Sequence, residues 1–196
     1  MTTESYLDLR LTDLLERLSA EGRAPGSGSA AAMTIAFAAG LVAMAARTST
    51  SSWSDAGGIA AQALAIRDRA GELASTDAEM WGRAMAALAR VGDARDPRRD
   101  FALEQELDRA ASLPLEIAEL GADAATLAAV AADRCDGAYR ADAAAAAALA
   151  AGSARAAAHL VEVNLAVRED DARLVRARAS ARDATEAADR VLASSR

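Results

Sequence analysis

The sequence contains no lysine, and only one histidine and one cysteine among its 196 residues. The absence of lysine excludes a lysine Schiff base or a catalytic ammonium group. The single cysteine, Cys135, excludes an intrachain disulfide and a cysteine-rich zinc site. The single histidine, His159, cannot form a histidine-rich metal site or a relay of two histidines. We therefore expect no bound metal ion and no covalently attached cofactor.

Aromatic residues are also scarce, at 3% of the chain, although 53% of the residues are hydrophobic. Alanine dominates the apolar fraction; it is the best helix former, and its small side chain lets helices approach closely. No stretch shows the alternation typical of strands. This composition predicts a single all-α domain over residues 1–196, a bundle of long antiparallel helices in which residues from about 168 to 196 form an appended C-terminal helix. Because an alanine core buries little apolar area per residue, we also expect dimerisation through helix faces.

The charge distribution bears on partners and location. The formal net charge is −7, with acidic residues and arginines interleaved, so no surface for nucleic acid is indicated. Charges at Glu4, Asp8 and Arg10 leave no early apolar core of the kind that a signal peptide has. The most apolar stretch, residues 30–46, is rich in alanine and a weak candidate for membrane insertion. We expect a cytoplasmic protein that does not contact a membrane.

Residues 26–29 (GSGS) lead directly into that apolar stretch. Glycines permit unusual backbone angles, and Ser27 or Ser29 can cap the helix that follows. Free N–H groups at the start of a helix suit a carboxylate, a phosphate or a developing oxyanion. The loop is therefore either a capped turn or a ligand contact. Its match to the glycine pattern of dinucleotide-binding folds is rejected, because a leucine-striped helix and not a strand precedes it.

Asp77 and Trp81 lie four residues apart, which places them on one face of a helix. Asp77 is either a site carboxylate or the N-cap of a helix that restarts after Ser75-Thr76. Trp81 is either a core or interface residue or a ring that stacks on a flat heterocycle.

Asp142 stands at the head of a run of alanines, and Asn164 lies 22 positions later on the same predicted helix. An aspartate buried among alanines is costly without a partner, so Asp142 is a candidate functional carboxylate; alternatively it is exposed near the helix start and complements the dipole. The two residues share a face but lie about 33 Å apart along the helix. They cannot contact the same ligand within one protomer, although they could do so across an antiparallel dimer. His159 points away from that face and is interpreted as a structural or interface histidine, with general acid–base work as the alternative.

Several stretches together resemble the cyclodeaminase/cyclohydrolase family, which includes the C-terminal domain of formiminotransferase-cyclodeaminase and the methenyltetrahydrofolate cyclohydrolases. The resemblance runs from about residue 6 to residue 165 and rests on the order and spacing of its parts. The stretches that carry it are APGSGSAAA at residues 24–32, LVAMAAR ending at Arg47, Asp77-Ala78 before Trp81, PLEIAE at residues 114–119, Asp142 with its alanine helix, and Val163-Asn164-Leu165.

The resemblance implies an all-α dimer that binds folate near the subunit interface. It implies Asp142 and Asn164 as catalytic residues, and it implies Gly26, Ser27, Gly28, Ser29, Arg47, Asp77 and Trp81 as ligand-binding residues. The implied substrate is a tetrahydrofolate derivative, and the implied activity is that of a formimidoyltetrahydrofolate cyclodeaminase or a methenyltetrahydrofolate cyclohydrolase. The alternative is a catalytically silent or substrate-shifted helical dimer that binds a small heterocyclic or anionic ligand.

Overall fold

The computed structural model describes residues 6–21, 26–89, 105, 108, 111–165 and 170–194, without the side chains of residues 81 and 83–89. Within these residues the chain forms six α-helices and no strand, which confirms the all-α prediction. The helices are α1 (Leu11–Ser19), α2 (Ser27–Thr48), α3 (Ala56–Ala89), α4 (Ser112–Arg134), α5 (Arg140–Asn164) and α6 (Ala172–Ala193). Short 3-10 turns, Tyr6–Asp8 and Gly137–Tyr139, precede α1 and α5.

Helix α2 lies at the centre of the bundle and packs against α3, α4 and α5. It is apolar on nearly every side, as a buried helix requires. Helices α4, α5 and α6 pack against one another in all three combinations, so the C-terminal helix α6 is part of the bundle. The backbone N–H of Asp136 donates to Ser49 Oγ at 2.8 Å, which joins the end of α2 to the start of α5. Helices α2 and α5 therefore run antiparallel.

Alanine methyl groups fill most of the core. The largest fully buried side chains belong to Ile35, Leu73, Ile117, Val42 and Val161. Most of the other buried apolar positions are alanines. The close approach that this permits is clearest between α4 and α5, where a Cβ added to Gly121 would lie 3.0 Å from the Cβ of Ala154 and 3.2 Å from its backbone. Glycine is required there because a neighbouring helix backbone occupies the space.

Arginine ion pairs connect the helices at the surface. Arg69 of α3 pairs with Glu116 of α4, Arg176 of α6 pairs with Glu119 of α4 at 2.6 Å, and Arg178 of α6 pairs with Glu162 of α5 at 2.8 Å. Each pair is solvent-exposed and contributes little by itself, within about 1 kcal/mol. Together these pairs join α3 to α4, α4 to α6 and α5 to α6 across the surface of the bundle.

Helices α2 and α5 also leave apolar residues exposed. This surface is called here the α2/α5 face. It contains the exposed Phe37 and Met44 and the half-buried Leu41 on α2, the exposed Ala145, Leu149, Gly152, Ala156 and Val163 on α5, and the exposed His159 on the same side of α5. Phe37 is 52% exposed and Val163 is 56% exposed. The two helices are long and apolar enough to cross a membrane by composition, but 67% and 56% of their most apolar windows are buried within the bundle. Burial of this extent is typical of core helices in a helical bundle.

The packing at Gly121 generates a stability prediction. The Gly121→Ala substitution gains helix propensity, up to about 1 kcal/mol, but it forces a methyl group into the backbone of α5 at a cost of about 1–3 kcal/mol. We expect a net loss in the free energy of unfolding, measured by urea denaturation. The matched control is Gly82→Ala on α3, where a Cβ meets nothing within 4 Å and should not destabilise. Equal stabilities of the two variants would contradict the packing described for Gly121.

Candidate functional site

A cavity of about 410 Å³ lies at one end of the bundle, where the termini of α2, α4 and α5 meet the middle of α3. Its polar groups come from the start of α2, from Asp77 and from Asn164, and apolar side chains supply the remainder. The lining residues are Gly26, Ser27, Gly28, Asp77, Met80, Leu113, Pro114, Leu160, Val163 and Asn164. An apolar cavity with a few convergent polar groups is the usual form of a small-molecule site.

The central feature of this cavity is the contact between Asp77 and the first turn of α2. A Cβ added to Gly28 would lie 2.5 Å from Asp77 Oδ1, so the carboxylate occupies the space that a larger side chain would need. Ser29 Oγ donates to Asp77 Oδ2 at 3.2 Å and to the carbonyl oxygen of Ala74 at 2.8 Å. The backbone N–H of Ser29 also donates to the Asp77 carboxylate. Asp77 therefore acts as an acceptor for the α2 N-terminus.

Two sequence predictions about capping are wrong. Helix α2 begins at Ser27 with Gly26 as its N-cap, and no side chain forms a cap hydrogen bond there. Ser29 is buried and turned toward α3. Helix α3 continues without interruption through residues 75–77, so Asp77 is not the N-cap of a restarted helix. Its carboxylate instead satisfies a backbone N–H of another helix, which sequence spacing within α3 could not reveal.

Burial raises the pKa of Asp77 above its ordinary value, because removal from water disfavours the charged carboxylate. The hydrogen bonds from the hydroxyl and the backbone N–H of Ser29 oppose this rise but do not cancel it. A carboxyl group whose pKa lies closer to neutral both accepts and returns a proton more readily, which suits general acid–base work. Among the predicted carboxylates, Asp77 thus has the environment of a proton carrier.

Asn164 lies at the other polar side of the cavity, in the last turn of α5. Leu160 comes four residues before Asn164 and Val163 comes directly before it, and both line the cavity beside its amide. Ser27 and Val163 are exposed, so the cavity opens to the surface beside the α2/α5 face. The arrangement can hold a flat apolar ring between the leucines and present polar groups at its edge.

The structure places two predicted residues far from this cavity. Arg47 lies in the last turn of α2 and Asp142 in the first turn of α5, where an acidic residue complements the helix dipole. Both positions are at the opposite end of the bundle, about 30 Å away along the helices. Their predicted roles in catalysis and ligand binding stay predictions. His159 is exposed, 3.7 Å from Glu162, and does not line the cavity.

Trp81 belongs to α3, one turn beyond Asp77, but its side chain lies outside the described residues, and its ligand-binding role stays a prediction. Among the described residues, no group of three or more histidine, cysteine, aspartate or glutamate side chains could hold a metal ion. The cavity accordingly contains one described carboxylate, Asp77, and no described cationic side chain.

Comparison with known proteins agrees with this architecture. The family described as Formiminotransferase-cyclodeaminase matches residues 10–183, which is most of the chain. The chain belongs to this family. The described cavity lies entirely within the matched residues, and its Gly26–Ser27–Gly28 turn is one of the stretches that carried the resemblance in the sequence.

The fold of this cyclodeaminase family member is also similar to a solved structure. The crystal structure of formiminotetrahydrofolate cyclodeaminase from Thermotoga maritima superposes with a TM-score of 0.81 and covers 96% of this chain and 98% of that chain. The two sequences are 19% identical, so the likeness concerns the fold. No curated protein matches the chain by sequence.

Sequence reasoning missed the apolar residues that line the cavity of this family member, chiefly Met80, Leu113 and Leu160. Met80 follows Asp77 by three positions, and Leu160 precedes Asn164 by four, so each shares a helix face with a polar residue that was singled out. That spacing was the available signal. It is weak, because apolar residues at such positions usually belong to the core.

The contact between Ser29 and Asp77 generates a prediction about ionisation. Removing the hydroxyl in Ser29→Ala deletes a hydrogen bond that favours the charged carboxylate, so the pKa of Asp77 should rise further. The measurement is a carbon-13 NMR titration of the Asp77 carboxyl group. The control is Thr34→Ala on the same helix, whose hydroxyl donates to the Ala30 carbonyl. An unchanged or lowered pKa of Asp77 in Ser29→Ala would contradict the arrangement.

Proposed function

We propose that this protein acts on a folate-type C–N bond, as a formimidoyltetrahydrofolate cyclodeaminase or a methenyltetrahydrofolate cyclohydrolase. The observation that carries the proposal is the buried Asp77 carboxyl group, held against the α2 N-terminus in a largely apolar cavity. Membership of the cyclodeaminase family and the fold shared with a formiminotetrahydrofolate cyclodeaminase support it. The tetrahydrofolate derivative is the substrate, and no further cofactor enters the proposal.

Both reactions require one group that moves a proton beside a single-carbon unit. In the deaminase reaction, one folate nitrogen attacks the formimino carbon, a C–N bond forms, and the bond to the departing nitrogen breaks with release of ammonia. The attacking nitrogen loses a proton and the leaving nitrogen gains one. In the hydrolase reaction, water adds to the cationic methenyl carbon and loses a proton, after which a ring C–N bond breaks. A carboxyl group with a raised pKa can carry the proton in either case.

We assign that proton transfer to Asp77. The backbone N–H groups at Gly26, Ser27 and Gly28 would position polar atoms of the substrate, since the first N–H groups of a helix lack partners within it. The Asn164 amide would orient the reacting group from the opposite side, with Leu113 and Leu160 against the faces of the pterin ring. Asp142 remains a proposed catalytic residue, which this protomer alone cannot bring to the cavity.

The alternative, a silent or substrate-shifted ligand-binding dimer, is not favoured. Burial of the Asp77 carboxyl group is costly, and use of that group in proton transfer gives the cost a functional return. Deamination and hydrolysis are both retained within the proposal, because the same cavity chemistry serves each. We also propose a cytoplasmic location, in keeping with the charged N-terminal residues of the sequence.

The activity test uses purified protein with formimidoyltetrahydrofolate and, separately, with methenyltetrahydrofolate. Accumulation of the methenyl absorbance together with ammonia indicates the deaminase, and accelerated loss of that absorbance indicates the hydrolase. We expect Asp77→Asn, which keeps the side-chain shape, to lower kcat by about 10²- to 10⁴-fold, the usual contribution of a general acid or base. The control His159→Gln, at an exposed position outside the cavity, should keep its activity. Wild-type protein that neither accelerates these reactions nor shows a thermal shift with folates would contradict the proposal.

We further propose that the protein is a homodimer assembled through the α2/α5 face, where Phe37 is 52% exposed and Val163 is 56% exposed. Phe37→Glu places a charge in the middle of that face and should convert the dimer to a monomer in sedimentation velocity. Val175→Glu is the control, because Val175 is another exposed apolar residue, 67% exposed, and it lies on α6 outside that face. A monomeric wild-type protein, or dissociation by the control alone, would contradict the assembly.

A further inference from the structure

We propose that Arg173 is a positioning residue of the cavity, which holds the first turn of α4 in place from the start of α6. Leu113 and Pro114, in that turn, form one wall of the cavity. Arg173 lies outside the described lining, so it acts on the cavity through α4. The inference rests on the proposed function and adds to it a residue that sets how the substrate fits without touching it.

The guanidinium of Arg173 joins two segments of the chain. Its Nε and Nη2 donate to the two oxygens of the Asp171 carboxylate, at 3.0 and 2.7 Å. Its Nη1 donates to the backbone carbonyl oxygen of Asp108 at 2.9 Å, and Nη2 donates to the Asp108 carboxylate at 2.6 Å. The hydrogen bonds to Asp171 and to Asp108 raise the pKa of Arg173 above its ordinary value. These three residues are called here the Arg173 cluster.

The Arg173 cluster lies at the cavity end of the bundle. Asp171 is the N-cap of α6 and follows Asn164, the last residue of α5, by seven positions. Asp108 precedes Ser112, the first residue of α4, by four positions. The end of α5 and the start of α4 both contribute lining residues to the cavity. Arg173 therefore ties the segment that enters one lining helix to the segment that follows the other.

The Arg173 cluster is shielded from water, unlike the arginine pairs at the surface of α6. The side chains of Arg173 and Asp171 are 22% and 15% exposed. Those of Arg176 and Arg178 are 60% and 62% exposed. Desolvation of shielded charges offsets much of their attraction, so such a pair adds little net stability although its geometry is specific. We therefore assign the cluster a role in holding position.

Helix α4 requires a positioning contact because its buried side carries few large side chains. Every buried residue of α4 after Ile117 is alanine or glycine. Methyl groups set how closely two helices approach, whereas larger side chains that interdigitate set the position of one helix along another. The hydrogen bonds of Arg173 supply that position at the start of α4, since a planar guanidinium binds a carboxylate in a defined orientation. The width of the cavity between Leu113 and Leu160 thus depends on Arg173.

The wall of the cavity and its proton carrier are held by different contacts. Asp77 accepts hydrogen bonds from Ser29 of α2, and a shift of α4 would leave these bonds intact. Loss of the Arg173 cluster should therefore weaken the contact of Leu113 with the pterin ring while leaving the proton transfer by Asp77 in place. An interaction made equally with the bound substrate and its transition state affects KM more than kcat.

The test variant removes the cluster without leaving unpaired buried charges. Arg173→Met deletes the guanidinium, and Asp108→Asn with Asp171→Asn in the same chain deletes the two negative charges. Asparagine is as effective an N-cap as aspartate, so the start of α6 keeps its cap. Arg173→Lys is a milder second variant, which keeps the charge but lacks the planar fork that reaches both carboxylates.

Hydrogen exchange measures the hold on α4 without reference to activity. The Leu115 N–H donates to the Ala111 carbonyl at the start of α4. In the triple variant this N–H should exchange about 10-fold faster than in the wild type, the factor that corresponds to one charge-assisted hydrogen bond. Amides near Gly121, further along α4, should exchange at unchanged rates.

The matched control is Arg176→Met with Glu119→Gln, which removes an exposed ion pair between the same two helices. It should leave the exchange of the Leu115 N–H unchanged. With the folate substrate on which the wild type acts, the triple variant should raise KM about 10-fold with a smaller change in kcat, and Arg173→Lys should raise KM by less. The control should keep both constants.

Several outcomes would overturn the inference. Unchanged exchange of the Leu115 N–H, or equal acceleration in the Arg176 control, would show that Arg173 does not hold α4, whether or not the protein is active. Faster exchange with an unchanged KM would show that the first turn of α4 does not set the fit of the substrate. Wild-type protein without folate activity would refute the proposed function alone, because hydrogen exchange still decides whether Arg173 holds the cavity wall.

Discussion

The close packing of alanine-rich helices is the constraint on which the rest of this structure depends. Large side chains hold helices apart, whereas a core of methyl groups lets backbones approach until a residue such as Gly121 is needed at the contact with Ala154. The same approach brings the first turn of α2 so close to α3 that Gly28 has no room for a Cβ beside Asp77. The site is thus a consequence of helix spacing: with wider spacing, Asp77 would not reach the α2 N-terminus.

Asp77 is the exception within this methyl core. Because burial raises its pKa, the folded protein holds a proton on Asp77 at pH values where the unfolded chain has released it. The folded state is therefore relatively destabilised as pH rises above the ordinary pKa of an aspartate, and the loss stops growing above the raised pKa. The hydrogen bonds from Ser29 reduce this cost without removing it. A fold that retains such a group accepts lower stability at neutral pH in exchange for a carboxyl group able to transfer protons.

Much of the fold and part of the cavity lining could be predicted from the sequence, because the strongest signals in a sequence are local. Alanine content predicts the all-α fold, and the glycine pattern and the family resemblance predict site roles for residues 26–28 and Asn164, which line the cavity. The helical separation of Asp142 and Asn164 followed from residue count alone. What the sequence could not supply was contact between helices. The orientation of Ser29 toward Ala74 depends on how α2 and α3 cross, and Leu113 and Leu160 look like ordinary core residues until a cavity is found beside them.

The two ends of the α2–α5 pair differ in how their polar residues are paired. Rigid helices of about 30 Å cannot bring residues of their first and last turns together, so polar residues retained at both ends must serve separate purposes or meet in an assembly. At the cavity end, the polar residues pair with one another, because Asp77 accepts hydrogen bonds from the first turn of α2. At the other end, the hydrogen bond from the Asp136 N–H to Ser49 Oγ already joins the end of α2 to the segment before α5. Asp142 is therefore not needed to hold the ends of α2 and α5 together; it is the one acidic residue in the first turn of α5, where it complements the helix dipole.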